Sequence, residues 1–156
     1  MEITDFPTDQ EIKVFSQLLA DGARDGHYAK EHLSSDFNQE YLSSIQKNQN
    51  IPGYPTKGLI FIFKENNQPV CFSVVCGSQF ANYTAEILMF SVPKPQRRKG
   101  YAKEALKIII EEVQGQNIIA RCMPRSTHMF KALEASGFSR VDIGPSSNVN
   151  YGYING

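Results

Sequence analysis

The stretch Val92-Pro93-Lys94-Pro95-Gln96-Arg97-Arg98-Lys99-Gly100-Tyr101-Ala102 holds the residues whose types and spacing best suit chemistry. Strand-forming sequence runs out through prolines into a basic, glycine-bearing turn, and an amphipathic helix follows directly. The first backbone N–H groups of a helix have no internal acceptors. They lie at the positive end of the helix dipole, where phosphate oxygens bind readily. Gly100 and Ala102 carry little bulk, so a ligand can come close to the main chain there. Arg97, Arg98 and Lys99 add positive charge at the same point. Basic residues at a helix N-terminus oppose the dipole by roughly 0.3–1 kcal/mol each. Three in succession point to an anion held by the turn. Spacing alone leaves a second reading open, a solvated basic surface that merely starts a helix.

The flanking elements must position this turn. Thr8-Asp9-Gln10-Glu11 has the form of a capping box. Ile12, Phe15, Leu18 and Leu19 recur at helical spacing after it, and Gly22 is expected to end the run. Ser35 or Asp36 can cap a second helix in which Phe37, Tyr41, Leu42 and Ile45 share a face. Residues 50–58, with two prolines and two glycines, read as a loop. Residues 59–63 and 70–76 read as strands joined by turn chemistry at 65–68, and 84–92 as a third strand that Pro93 and Pro95 stop. From near Lys99, Ala102, Ala105, Leu106, Ile109, Ile110 and Val113 form an apolar helical stripe that Gly115 closes. Residues 118–122 form a short strand. Ser126 or Thr127 caps a helix with Met129, Phe130 and Leu133, ended by Gly137. Residues 138–143 and 149–154 finish as strands. This order predicts an α/β fold, a mixed sheet with helices on both faces.

The chain as a whole bounds the possibilities. Its 156 residues suit one domain over 1–156 with one core. Sixteen basic and sixteen acidic side chains cancel, so no global field draws it to nucleic acid or an anionic membrane. A local basic surface of Lys94, Arg97, Arg98, Lys99, Lys103 and Lys107 keeps a nucleic-acid reading in view, but the zero balance and the apolar stripe between these residues argue against it. Residues 1–5 show neither a basic leader nor an apolar run, and no stretch of about 18 apolar residues appears, so no membrane association and a cytoplasmic location are expected. Cys71, Cys76 and Cys122 are odd in number and fit no zinc spacing, and His27, His32 and His128 form no short ligand motif. No metal is expected.

Arg97-x-x-Gly100-x-Ala102 after a strand ending at Val92 resembles the pyrophosphate signature of the GCN5-related N-acetyltransferase (GNAT) superfamily, and Gly137-Phe138 resembles its later Gly-Phe pair. The element order agrees with the family's. The resemblance in specific residues covers about 86–138; the first 57 residues agree only in helix content. It implies a single-domain fold with about six to seven strands, splayed between strands four and five. The fourth strand is then 84–92, provided a strand near 2–6 counts as the first, and the fifth is 118–122. It also implies acetyl-CoA as co-substrate. The main chain of Phe90, Ser91 and Val92 would hold its pantetheine arm, and the amides of Arg98, Lys99, Gly100, Tyr101 and Ala102 its pyrophosphate. Glu86, eleven residues before Arg97, occupies the offset of a general base in the histone-acetylating branch; the other reading is a glutamate paired with a basic neighbour or exposed at the strand start. The chemistry needs one, because a protonated amine has no lone pair to attack a thioester.

Two positions depart from the family pattern. Ser126 stands where many members carry a cofactor-side Asn, and Leu133 where many carry a Tyr that protonates the departing thiolate. Cys122, Ser126 and His128 lie nearby in sequence, but none has the geometry shown that a role requires. Gly26-His27-Tyr28, the loop around Tyr54 and Tyr151-Gly152-Tyr153 are candidates to line an acceptor pocket. The function implied is acetyl transfer from acetyl-CoA to an unidentified primary amine, by a monomer or homodimer. A non-catalytic acyl-CoA-binding regulatory module is the alternative that Leu133 keeps open.

Overall fold

Strand-forming and helix-forming runs alternate along the chain and fold into one seven-stranded sheet covered on both faces. A computed structural model describes residues 1–144 and 147–155; Pro145, Ser146 and Gly156 of the expected 1–156 domain lie outside the described residues. The elements are β1 (Glu2–Thr4), α1 (Asp9–Arg24), α2 (Ser35–Asn48), β2 (Gly58–Glu65), β3 (Gln68–Gly77), β4 (Ala85–Ser91), α3 (Tyr101–Glu112), β5 (Ile118–Cys122), α4 (Thr127–Ala135), β6 (Ser139–Val141) and β7 (Val149–Tyr153). Short 3-10 turns, Lys30–Leu33 and Lys94–Gln96, precede α2 and α3. The strand order is β1-β2-β3-β4-β5-β7-β6. All neighbours are antiparallel except β4 and β5, which run parallel.

The continuous apolar run of β2 follows from burial on both faces. Successive strand side chains point to opposite sides. Ile60 and Ile62 therefore join Ile12, Phe15, Leu19, Leu42 and Ile45 beneath α1 and α2, while Phe61 and Phe63 join Ala105, Leu106, Ile109 and Leu133 beneath α3 and α4.

β4 breaks this alternation. Ala85 and Ile87 face α3 and α4, then Leu88 and Met89 both face α1 and α2, and Phe90 returns to the first side. Val75 pairs with Ile87 and Val74 with Met89, so Leu88 is an extra residue, a β-bulge. A bulge bends and twists its strand. The pairing of β4 with β5 covers only Ala85–Ile118, Glu86–Ile119 and Ile87–Ala120, and stops where the bulge begins. Beyond it the two strands splay, as the resemblance implied.

Several local expectations differ from what is observed. Gly22 does not end α1, which continues to Arg24. It is buried inside the helix, and a Cβ there would come 2.7 Å from the Tyr28 ring. Glycine within a helix costs about 0.5–1 kcal/mol relative to Ala, so its bareness serves the packing of Tyr28. α2 is capped by Ser34, whose Oγ accepts from Phe37 N at 3.2 Å, not by Ser35 or Asp36. α3 begins at Tyr101, because Gly100 sits at φ +82° as its N-cap. Ser126 is the N-cap of α4, but its side chain makes no capping bond.

The Thr8 capping box is present, with Glu11 Oε1 accepting from Thr8 N at 2.9 Å and Thr8 Oγ1 accepting from Glu11 N at 3.1 Å. Burial pushes the Glu11 carboxyl up, but Lys64, 2.8 Å away, and the Thr8 bonds outweigh it and hold it below its ordinary value. A depressed folded pKa contributes stability above the unfolded value and loses it as pH falls through the folded value. Thermal melts from pH 6 to pH 3 are therefore expected to fall less steeply for Glu11→Gln than for the native chain. At neutral pH the variant keeps an acceptor for Thr8 N and is expected to lose about 0.5–1 kcal/mol with the Lys64 ion pair.

Candidate active site

The turn after β4 takes its shape from its own sequence. Gln96 N donates to Pro93 O at 2.8 Å and Arg97 N to Lys94 O at 3.2 Å, which closes the Lys94–Gln96 turn. Arg97 Nε donates back to Val92 O at 2.9 Å, tying the end of the turn to the end of β4. Arg98 at φ +64° and Gly100 at φ +82° are both left-handed, an uncommon conformation for a non-glycine residue such as Arg98. Gly100 has no side chain with which to cap α3, whose first backbone bond runs from Glu104 N to Gly100 O. The N–H groups of the first turn are thus left for an external acceptor. The space beside Gly100 is open, with no heavy atom within 4 Å of a would-be Cβ. Arg97, Arg98, Lys99 and Gly100 are exposed, Tyr101 and Ala102 half-buried. These features fit a diphosphate.

From this turn the splay leads inward. Phe90 and Ser91 lie on β4 beyond its last residue paired with β5. The hydroxyl of Tyr28, from the loop after α1, reaches them. It donates to Phe90 O at 2.7 Å and lies 2.5 Å from Ser91 Oγ. Burial pushes the Tyr28 phenol up to about 12. Next to it, His27 Nδ1 lies 2.9 Å from Ser126 Oγ. That bond explains why Ser126 makes no cap: its hydroxyl turns to the α1–α2 loop. Burial, opposed by Asp25 and reinforced by Arg97, His128 and Arg125, holds the His27 imidazole below its ordinary value, so it is neutral at physiological pH. The Arg125 side chain lies against Gly26, at φ +82°, so close that a Cβ there would meet Arg125 Cδ at 2.9 Å.

Behind the splay is a cavity of about 210 Å³, lined by His27, Tyr28, His32, Glu86, Met89 and Arg121 among others. Glu86 is only 1% exposed although it carries a carboxylate. Both of its oxygens are engaged. Tyr54, from the loop before β2, donates its hydroxyl to Oε1. Arg121 on β5 approaches Oε2 with Nη2 at 3.4 Å, and the same Nη2 lies 3.3 Å from Tyr54 Oη. The Arg121 guanidinium also sits 4.8 Å over the Phe80 ring, a cation–π contact. Burial, followed by the Glu86 carboxylate, pushes the Tyr54 phenol well above its ordinary value. Tyr54 is fixed by its N–H bond to Ile51 O at 3.0 Å.

The structure brings several of the residues named from sequence to one place. Glu86, Phe90, Ser91 and Ser126 surround the splay and cavity, and the loops at Tyr28 and Tyr54 close over them. Tyr151 goes elsewhere, buried against Phe130 and bonded to Glu134 Oε1 at 2.7 Å. Cys122 is buried with its thiol pushed up to about 12, so it is no nucleophile. Leu133 is fully buried in the core beneath α3 and α4. Arg121 escaped the sequence reading. Its signal was one basic residue in an apolar strand, matched by one acidic residue in the strand beside it. Among the described residues, no group of three or more His, Cys, Asp or Glu is placed to hold a metal, and no helix is long and apolar enough to cross a membrane.

Comparison with solved structures gives the same fold. The N-acetyltransferase from Staphylococcus aureus Mu50 superposes with a TM-score of 0.70 at 16% identity, over 99% of this chain and 98% of that one. The ribosomal-protein-alanine N-acetyltransferase from Brucella melitensis gives 0.72 at 12% identity, covering 99% of each chain. AAC(6')-Ib in complex with ribostamycin and coenzyme A gives 0.72 at 14% identity, over 99% of this chain and 94% of that one. No curated protein sequence matches the chain. The sequence model of the acetyltransferase (GNAT) family does match, over residues 26–138. That span takes in the Tyr28 loop, the Glu86 cavity, the splay and the basic turn, and it is well over half of the chain, which therefore belongs to the acetyltransferase (GNAT) family.

Proposed function

We propose that this chain, acting as one domain, moves an acetyl group from acetyl-CoA to a primary amine by direct attack. The observation that carries the reading is the opening between β4 and β5, which runs from the basic turn to the buried Glu86 cavity. The main chain of Phe90, Ser91 and Val92 holds the pantetheine arm. The turn from Arg97 to Ala102 takes the pyrophosphate, and Ser126 flanks the arm from α4. Strand-four amides stabilise the oxyanion as the amine attacks. Glu86 takes the amine proton, directly or through water. The fold does not choose the acceptor: one neighbour binds ribostamycin and another is named for the alanine of a ribosomal protein.

The test is thiol release from acetyl-CoA with a panel of amines, beside calorimetric titration with CoA. Gly100→Val places a β-branched side chain at φ +82°, where such residues are strained. It is expected to weaken CoA binding about tenfold or more, the loss of roughly 1.4 kcal/mol. Unchanged affinity would remove the turn from the site. A second reading, a module that binds acyl-CoA without turnover, is favoured by the aliphatic Leu133. It predicts CoA binding with no thiol release for any amine.

A further inference from the structure

Breaking a thioester leaves an electron pair on sulfur, and a donor aimed at the charge that develops there stabilises it. The obvious positions offer none. Leu133 is aliphatic and fully buried, and Cys122 is buried in the core beneath α3 and α4. The geometry points to Tyr28 as the residue whose hydroxyl receives the departing sulfur. This rests on the acyl-transfer reading above.

Three observations carry it. The Tyr28 hydroxyl contacts β4 at Phe90 O and Ser91 Oγ, three and four residues past the last rung to β5, so the side chain enters the splay from the α1–α2 loop. Its ring also lines the cavity that holds Glu86. Tyr28 therefore touches both the path of the acyl donor and the pocket of the acceptor, and the bond that breaks must lie between them. Finally, the ring is seated. It lies across the bare backbone of Gly22, where a Cβ would come within 2.7 Å, and stands edge-on to His32 with ring centroids 6.1 Å apart. Its phenol, pushed up to about 12 by burial, stays protonated through the physiological range and remains a donor.

The step balances without another reactant. The amine nitrogen bonds to the carbonyl carbon, the C–S bond breaks, and its electron pair goes to sulfur. An ammonium that becomes an amide gives up two protons. One leaves through Glu86, and the other reaches the thiolate by way of solvent while the Tyr28 hydroxyl, turned from Phe90 O, donates to the sulfur. The product is a thiol, one proton is released, and Tyr28 ends as it began.

A measurement of binding rather than turnover tests this contact. A donor to sulfur favours bound thiolate, so CoA should tighten relative to desulfo-CoA as pH rises from 7 to 10. A one-unit drop in the bound thiol's pKa gives about a tenfold gain. Cys71 and Cys122 act on the Tyr28 phenol, and His27, His32, Glu86 and Arg121 share its cavity; the desulfo-CoA ratio cancels contributions common to both ligands. Tyr28→Phe keeps the ring and removes the hydroxyl; its ratio is expected to stay flat. Gly22→Ala keeps the hydroxyl and unseats the ring, and is expected to flatten the ratio too. In turnover, Tyr28→Phe should lower kcat about 10- to 100-fold, with KM for acetyl-CoA within about threefold. Equal slopes in the native chain and Tyr28→Phe would overturn the assignment. A native chain that has the slope yet acetylates no amine would instead sink the acyl-transfer reading and leave the sulfur contact standing.

Discussion

Replacing Glu86 by Gln is expected to lower kcat at least about a hundredfold, the usual contribution of a positioned general base, while KM for acetyl-CoA changes little. The carboxylate lies in the cavity wall, 1% exposed, away from the basic turn proposed to take the diphosphate. Gln keeps its size and one acceptor oxygen for Tyr54 but cannot take a proton. The same change removes the charge facing Arg121, whose side chain is 24% exposed. Full burial of an unpaired charge costs about 3–5 kcal/mol; with part of the guanidinium in water, a loss of about 1–2 kcal/mol is expected. Melting temperature and thiol-release kinetics measured on one preparation separate the two effects. A variant that folds and retains native kcat would strip Glu86 of its role, and the buried Glu86–Tyr54–Arg121 cluster would then be a structural clasp between β4, β5 and the loop before β2.

The second large effect is on stability and falls at Leu133. Its side chain is wholly buried among Leu106, Ile109, Phe138 and the inner face of the sheet. Truncation to Ala is expected to cost about 3 kcal/mol, within the range for buried leucines. In a domain of this size that lowers the melting temperature by roughly 6–12 °C. Scanning calorimetry reads it directly, and a shift under about 2 °C would mean that α4 packs less tightly than described. Leu133→Tyr is informative for the opposite reason. The larger ring overpacks the site, at about 1–3 kcal/mol, and its hydroxyl enters apolar surroundings. Installing the tyrosine that the family resemblance implies at this position is expected to destabilise the chain without raising kcat.

Much of this architecture was legible in the sequence because it depends on periodicity. The run 59–63 reads as a strand, and its lack of alternation is explained by burial on both faces. The stripe from Ala102 to Val113 reads as a helix that buries one side, and Ala105, Leu106 and Ile109 are its fully buried members. The basic turn was legible because its residues are adjacent in the chain. What sequence could not reveal depends on contacts between distant segments. Gly22 looks like a terminator, yet it is bare because Tyr28 packs on it six residues later. Ser126 looks like a cap, yet its hydroxyl answers His27, 99 residues away. Arg121 and Tyr54 meet Glu86 only through the parallel register of β4 and β5 and the return of a loop. The bulge at Leu88 leaves no mark in composition at all.

That bulge sets the phase of everything after it on β4. Upstream of Leu88, the odd-numbered Ala85 and Ile87 face α3 and α4; downstream, the even-numbered Phe90 does. One surplus residue has inverted the parity of the strand. Parity also decides which edge a carbonyl addresses, since alternate peptide groups of a strand point to opposite neighbours. The oxygen of Phe90 that meets Tyr28 is therefore turned toward the opening by a residue two positions earlier. A chain lacking Leu88 would keep its composition and its hydropathy almost intact, and would carry Phe90 round to the other face.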